Sequence, residues 1–160
     1  MRFLAMAVAL LALTACGFRP MYGPSSEGAL IGPVQVAEIS GRTGSALSQE
    51  LSRLLTAEAG RGGPTRVLEV SLTETVSRLA YRIDESAQRA DLIVVATYRL
   101  ATPGEPDMTG RLTATVGFDI PDSAFGEITA QDDARDRAGE VLAHQLRTEI
   151  ALRLSAAQQP

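Results

Sequence analysis

Three segments in the middle of the chain alternate apolar and polar residues with a period of two, which is typical of β-strands that bury one face. The first can continue past Val76 towards Tyr81. The apolar residues occupy the even positions: Leu68, Val70 and Leu72; Leu92, Val94, Ala96, Tyr98 and Leu100; Leu112, Ala114, Val116, Phe118 and Ile120. The chain is therefore predicted to build a sheet with one buried face and one polar face.

The middle segment differs from the other two because Ile93 and Val95 make its centre apolar on both faces. Such a pattern predicts either a central strand or a strand whose second face meets a partner. Short connections rich in turn-forming and polar residues, 82–88 and 102–107, join the three segments. Both connections favour hairpins, so these strands are expected to be antiparallel.

A short β-prone segment and two helical patterns flank the three strands. Val34–Ile39 predicts a first strand, and Pro121–Thr129 is expected to be a loop. The first helix ends at Gly60 and the second runs from Ala130 to about Ser155. Their apolar stripes recur at helical spacing: Leu47, Leu51, Leu54, Leu55 and Ala59; Ala134, Ala138, Val141, Leu142, Leu146, Ile150 and Leu154.

The element order is therefore β-α-β-β-β-α, and the predicted fold class is α+β. Two helices packed on one face of a four-stranded mixed sheet would bury every stripe. With the first helix as a right-handed crossover, strands one and two are parallel and the others antiparallel. We expect a single domain over residues 34–155 and a disordered tail over 156–160.

The first fifteen residues have the order of a secretory signal peptide. Arg2 precedes an uncharged apolar run, Phe3–Leu13, and small residues precede Cys16. A helix of this length would span about 16 Å, roughly half of a bilayer's hydrocarbon core, so it is too short for a transmembrane anchor. Residues 1–15 are therefore predicted to be removed as a signal peptide.

Leu13-Thr14-Ala15-Cys16 also matches the bacterial lipobox, whose cysteine is lipidated before cleavage. Cys16 is the single cysteine of the chain, so it has no partner for an internal disulfide. The simpler alternative is an ordinary signal peptide beside a chance cysteine. Lipidation predicts a diacylglycerol and an N-acyl chain on Cys16, and several acyl chains anchor a protein stably. No other cofactor is expected. Because Gly17 rather than aspartate follows, the outer membrane is the expected location.

Residues 16–33 are rich in glycine and proline and predict a flexible tether between the lipid and the domain. Phe18, Met21 and Tyr22 are its large apolar side chains near the lipid. They form either part of a featureless linker or a docking segment for a partner close to the bilayer.

Charge and residue types argue against several functions. The net charge of −4 becomes −5 after removal of residues 1–15, which argues against non-specific nucleic-acid binding. The single histidine, His144, is expected on the surface or flank of the last helix. With one histidine, and with its single cysteine assigned to lipidation, the chain has no common zinc ligand set and no further cysteine for a Cys-His nucleophile site. We therefore expect a protein that is not an enzyme.

The segment Leu13–Gly23 resembles the Cys-Gly-Phe-x-Pro-Leu-Tyr-Gly opening of the lipopolysaccharide-assembly lipoprotein family LptE, especially its alphaproteobacterial members. Met21 departs from the usual leucine but keeps an apolar side chain. The element order and the Arg/Asp-rich segment Asp132–Ala138 also match the family. The likeness covers nearly the whole chain, but only the opening is specific.

The resemblance implies a scaffold on the periplasmic side of the outer membrane. Family members plug and help assemble the barrel LptD and assist lipopolysaccharide transport to the outer leaflet. A cluster of Arg78, Arg82, Arg89 and Arg99 could bind lipid A phosphates, or these arginines could be ordinary solvated surface charge. The alternative function is a pilotin or an accessory lipoprotein of another envelope complex, such as a secretin.

Overall fold

A computed structural model describes residues 31–56, 64–81 and 87–157 of the chain. In chain order these residues form β1 (Val34–Val36), α1 (Arg42–Thr56), β2 (Arg66–Tyr81), β3 (Ala87–Ala101), β4 (Met108–Asp119) and α2 (Ala124–Ala157). The strands make one sheet in the order β1-β2-β3-β4. The predicted α+β fold class and its element order are confirmed.

The sheet is mixed in the predicted way. β1 runs parallel to the start of β2, with Val34 opposite Arg66. β2, β3 and β4 are antiparallel neighbours, and a bulge interrupts the β2–β3 register between Arg78 and Tyr81. α1 is the crossover between the two parallel strands, which have to be joined by a connection of this kind.

The hydrophobic core lies between the helices and one face of the sheet, which we call the covered face. Its centre consists of even-numbered strand residues and the apolar stripes of the helices: Leu68, Leu92, Val94, Ala96, Leu47, Leu51, Leu142 and Leu146, all 0% exposed. The two helices also touch each other closely. A Cβ atom on Gly139 would lie 2.8 Å from Cβ of Ala46, so the helices can approach this far because residue 139 is glycine.

The last helix begins earlier than the sequence indicates. α2 starts at Ala124, so the expected loop over 121–129 is wrong for most of its length. Ser123 accepts a hydrogen bond on Oγ from the Gly126 N–H at 3.1 Å, which is an N-cap. The first turns of α2 bury no apolar stripe, since Phe125 is 81% exposed. The helical spacing of apolar residues therefore indicated a later start for this helix.

Two further details differ from the sequence prediction. β1 ends at Val36 rather than at Ile39, although the Ile39 side chain is buried. Val141, which the periodicity assigned to the buried stripe, is 42% exposed.

Candidate functional site

Several predicted site residues lie outside the described residues. They are the lipidation site Cys16, the three tether residues Phe18, Met21 and Tyr22, and Arg82 of the β2–β3 connection. Of the predicted site residues, Arg78, Arg89 and Arg99 are described, so the candidate site is built from these arginines and the surface of the sheet.

The face of the sheet opposite the helices, the open face, carries the odd-numbered residues of β2, β3 and β4. At its centre Val95 and Ile93 of β3 are half-buried, and exposed threonines flank both of them. The two central rows are Thr73–Val95–Thr113 and Thr75–Ile93–Thr115. No helix or strand among the described residues covers this face. Its centre is therefore neutral, with hydroxyl groups around a small apolar strip.

Charged residues stand at the two ends of the open face. At one end Arg99 donates to Glu69 at 2.9 Å and to Asp107 at 2.8 Å, and hydrogen bonds to Asp107 and Glu69 raise the pKa of its guanidinium. At the other end Arg89 lies 3.3 Å from Asp119, with both side chains largely exposed. Arg99 is firmly held, whereas the ion pair that Arg89 makes with a described residue is long and exposed, and therefore weak.

Arg78, Arg89 and Arg99 do not form one cluster. Arg78 lies on the covered face near the end of β2, where its guanidinium is 3.3 Å from Glu127 of α2. Arg89 and Arg99 share the open face but are separated by ten residues of strand, about 33 Å. A single lipid headgroup cannot bridge this distance.

A polar network joins α1, α2 and β2 at the rim of the core. Its members are Arg42, Thr43, Glu74, Asp132, Arg135 and Asp136. The fully buried Thr43 donates to Glu74 at 2.6 Å. Burial opposes the charged form of Arg135, but hydrogen bonds to Glu74 and Asp132 raise its pKa overall. Asp132 thus pairs with one arginine of α1 and one of α2.

His144 lies on the surface of α2, as expected. Its imidazole is 60% exposed and lies 3.3 Å from Glu50 of α1. A hydrogen bond from Arg53 lowers the pKa of Glu50, with a smaller contribution from His144. Within residues 31–56, 64–81 and 87–157, no three acidic, histidine or cysteine side chains are grouped so that they could hold a metal ion. None of the described helices has the length and apolarity needed to span a membrane.

Arg111 is the residue that the sequence reasoning missed. It is exposed on the open face of β4, and the structure gives it no ion pair with a described residue. Alternation alone placed Arg111 on the polar face. That no described carboxylate pairs with Arg111 follows from the strand register, which periodicity does not give.

The fold is shared with bacterial lipoproteins. A minor lipoprotein from Acinetobacter baumannii superimposes with a TM-score of 0.59 at 17% identity, covering 76% of this chain and 91% of that chain. A Caulobacter crescentus CB15 protein described as a lipoprotein gives 0.56 at 24% identity, covering 83% and 96%. The rare lipoprotein B of Shewanella oneidensis gives 0.52 at 14% identity, covering 76% and 98%.

No protein-family model matches the chain, and no curated protein matches its sequence. At these identities the structural likeness concerns the fold alone.

Proposed function

We propose that this chain is an outer-membrane lipoprotein held on the periplasmic side by acyl chains on Cys16. It plugs and helps assemble an LptD-type barrel and assists the transport of lipopolysaccharide to the outer leaflet. Two findings support the proposal: the LptE-like segment from Leu13 to Gly23, and a fold that rare lipoprotein B also has.

The observation that carries the proposal is the open face. The centre of this face, where threonines surround Ile93 and Val95, is neutral, and the threonines are exposed among the described residues. The lumen of an outer-membrane barrel is lined by polar side chains. Hydroxyl groups on both surfaces can exchange hydrogen bonds, and the small apolar strip adds contact without burying a charge.

Co-purification of the tagged full chain tests the barrel proposal. The wild-type chain is expected to recover an LptD-type barrel, and its depletion to remove lipopolysaccharide from the cell surface. Thr73→Arg at the centre of the open face should reduce barrel recovery. The matched control Gln49→Arg, on the exposed side of α1, should not. Recovery of a secretin, or equal barrel recovery with both variants, would contradict the proposal.

We further propose that Arg82 and Arg89 contact lipopolysaccharide directly. Arg89 is 64% exposed, and among the described residues its one ion pair is the 3.3 Å contact with Asp119, which it could exchange for a phosphate. Arg99 would have to leave two carboxylates. Charge reversal at Arg82 and Arg89 should therefore weaken lipopolysaccharide binding by the purified protein more than Arg99→Glu. Unchanged binding would remove these residues from the site.

The anchor has a separate test. Cys16→Ala should abolish palmitate labelling of the chain, because the thiol that accepts the diacylglyceryl group is gone. Equal labelling of the variant and the wild type would contradict lipidation at Cys16.

A further inference from the structure

The free edge of β4 carries unpaired backbone groups, and their direction follows from the β1–β2 contact. The Arg66 N–H donates to the Pro33 carbonyl and the Leu68 carbonyl accepts from the Ala37 N–H, both at 2.9 Å. Even-numbered residues of β2 therefore point their backbone groups at β1, and odd-numbered residues point theirs at β3. Before the bulge, opposite residues of β2 and β3 are both odd or both even, so odd-numbered residues of β3 point their backbone groups at β2 and even-numbered ones at β4. By the same pairing, even-numbered residues of β4 point at β3, and odd-numbered residues of β4 point away from the sheet.

Two arginines of α2 agree with this assignment. Arg153 donates to the Thr109 carbonyl at 2.8 Å, and Arg137 approaches the Gly117 carbonyl at 3.5 Å. Between these positions no strand of the described chain pairs with Arg111, Thr113 and Thr115. β4 has neither a proline nor a bulge in its register with β3, two of the features that block strand addition at an edge.

The charged side chains on this edge are complementary to those on the same edge of a second copy. If two β4 strands pair antiparallel around Thr115, Arg111 of one copy stands opposite Asp119 of the other, twice across the two-fold axis. Both residues lie on the open face. Arg111 has no ion pair with a described residue, and Asp119 is 80% exposed and lies 3.3 Å from Arg89. No other centre on an odd residue between 111 and 119 gives this match.

The helix layer supplies a contact at the same axis. The bonds of Arg137 and Arg153 show that α2 runs antiparallel to β4. A helix rises about 1.5 Å and a strand about 3.3 Å per residue, so Val141 lies level with Thr115. Val141 is one turn beyond Arg137 on the side of α2 that reaches the edge, and it is 42% exposed. Two copies would therefore bring their Val141 side chains together.

We propose that β4 is a self-pairing edge through which two copies of this chain join their sheets, with Thr115 on the two-fold axis. The occupant is a second copy because both the ion pairs and the exposed valine are met by the same residues of an identical chain. Thr109 stays outside the paired stretch, so the Arg153 bond is retained, whereas the Gly117 carbonyl lies inside it and exchanges its 3.5 Å contact with Arg137 for a bond to the second strand. The contact is small for a specific interface, and association is weak. This inference does not depend on the proposed function.

Sedimentation equilibrium of the full chain in density-matched detergent tests the pairing. The wild type is expected to show a reversible monomer–dimer equilibrium at high micromolar concentration. Arg111→Asp should weaken it about tenfold, because it replaces two attractive pairs by two repulsive ones. The double variant Arg111→Asp/Asp119→Arg should restore it. Thr75→Asp, on the same face but away from the edge, should leave it unchanged.

A proline substitution in β4 provides an independent test of the pairing. The Thr115 N–H points away from the sheet, so Thr115→Pro removes no ladder bond from the monomer but blocks a second strand. Circular dichroism should show a folded variant that stays monomeric. A wild-type chain that is monomeric at all concentrations would overturn the proposal. So would a dimer that persists in both Thr115→Pro and Arg111→Asp.

Discussion

The two faces of the sheet are built from neighbouring residues of the same strands, yet they are different surfaces. Val94 is fully buried beneath the helices, whereas Val95, the next residue, is half-buried between two threonines. The covered face is filled by side chains from both helices. The open face has no cover among the described residues. The comparison teaches that the covered face determines the fold, whereas the open face keeps its polar side chains exposed among the described residues.

The largest expected effect comes from a charge placed in the core beneath the covered face. Leu146→Asp places a carboxylate at a fully buried position of α2 and should lower the free energy of unfolding by about 3–5 kcal/mol. Leu152→Asp makes the same change on the same helix at a position that is 52% exposed. It should cost less than about 1 kcal/mol. Urea unfolding measures both, and equal losses would mean that the core is wrongly assigned.

Two glycines of β4 sharpen the comparison on a single strand. A Cβ on Gly110, on the covered face, would lie 2.6 Å from the Tyr98 ring, so Gly110→Val should cost about 1–3 kcal/mol through overpacking. On Gly117, on the open face, the nearest atom would be Oδ1 of Asp91 at 3.3 Å. That side chain can move, and valine favours strands, so Gly117→Val should be close to neutral. Thermal unfolding of the two variants distinguishes the faces.

Most of the fold could be predicted from the sequence because each strand and helix buries one regular stripe. Alternation identified the covered face of β2, β3 and β4, and the helical spacing identified the buried side of α1. The start of α2 could not be found in this way. Phe125 and Ile128 are exposed there, so the helix is held by the Ser123 cap and by Glu127 with Arg78 rather than by an apolar stripe.

The candidate site was less predictable. Arginine positions are visible in the sequence, but their carboxylate partners are set by register, as for Arg99 opposite Glu69. The Arg42–Asp136 pair joins residues 94 positions apart, which no local pattern indicates. The free edge of β4 likewise depends on which side of β3 pairs with β2. Long-range pairing is therefore the information that periodicity lacks.

A smaller difference is expected from substitution of adjacent valines. Val94→Thr introduces a hydroxyl into the apolar core and should cost about 1–2 kcal/mol. Val95→Thr extends the threonine rows Thr73 and Thr113 across the open face and should cost less than about 0.5 kcal/mol. Both changes conserve side-chain shape, so the difference in urea midpoint reports the environment. Similar losses would show that the open face is covered.

A small effect at neutral pH is also expected at Tyr98, where the covered face surrounds a polar group. The tyrosine is 1% exposed and its hydroxyl has no hydrogen-bond partner among the described residues, so Tyr98→Phe should change stability at pH 7 by less than about 1 kcal/mol.

The two proteins should diverge in alkali. Burial, the main cause, raises the pKa of Tyr98 in the folded chain, with Arg153 acting in the opposite direction. In the unfolded chain the phenol ionises near pH 10, while the folded chain still holds its proton. The unfolded state then binds fewer protons, so the stability of the wild type falls as pH rises above about 10. Tyr98→Phe lacks this loss. Urea midpoints that fall in parallel for both proteins between pH 9 and 11 would mean that Tyr98 ionises as freely in the folded chain as in the unfolded one.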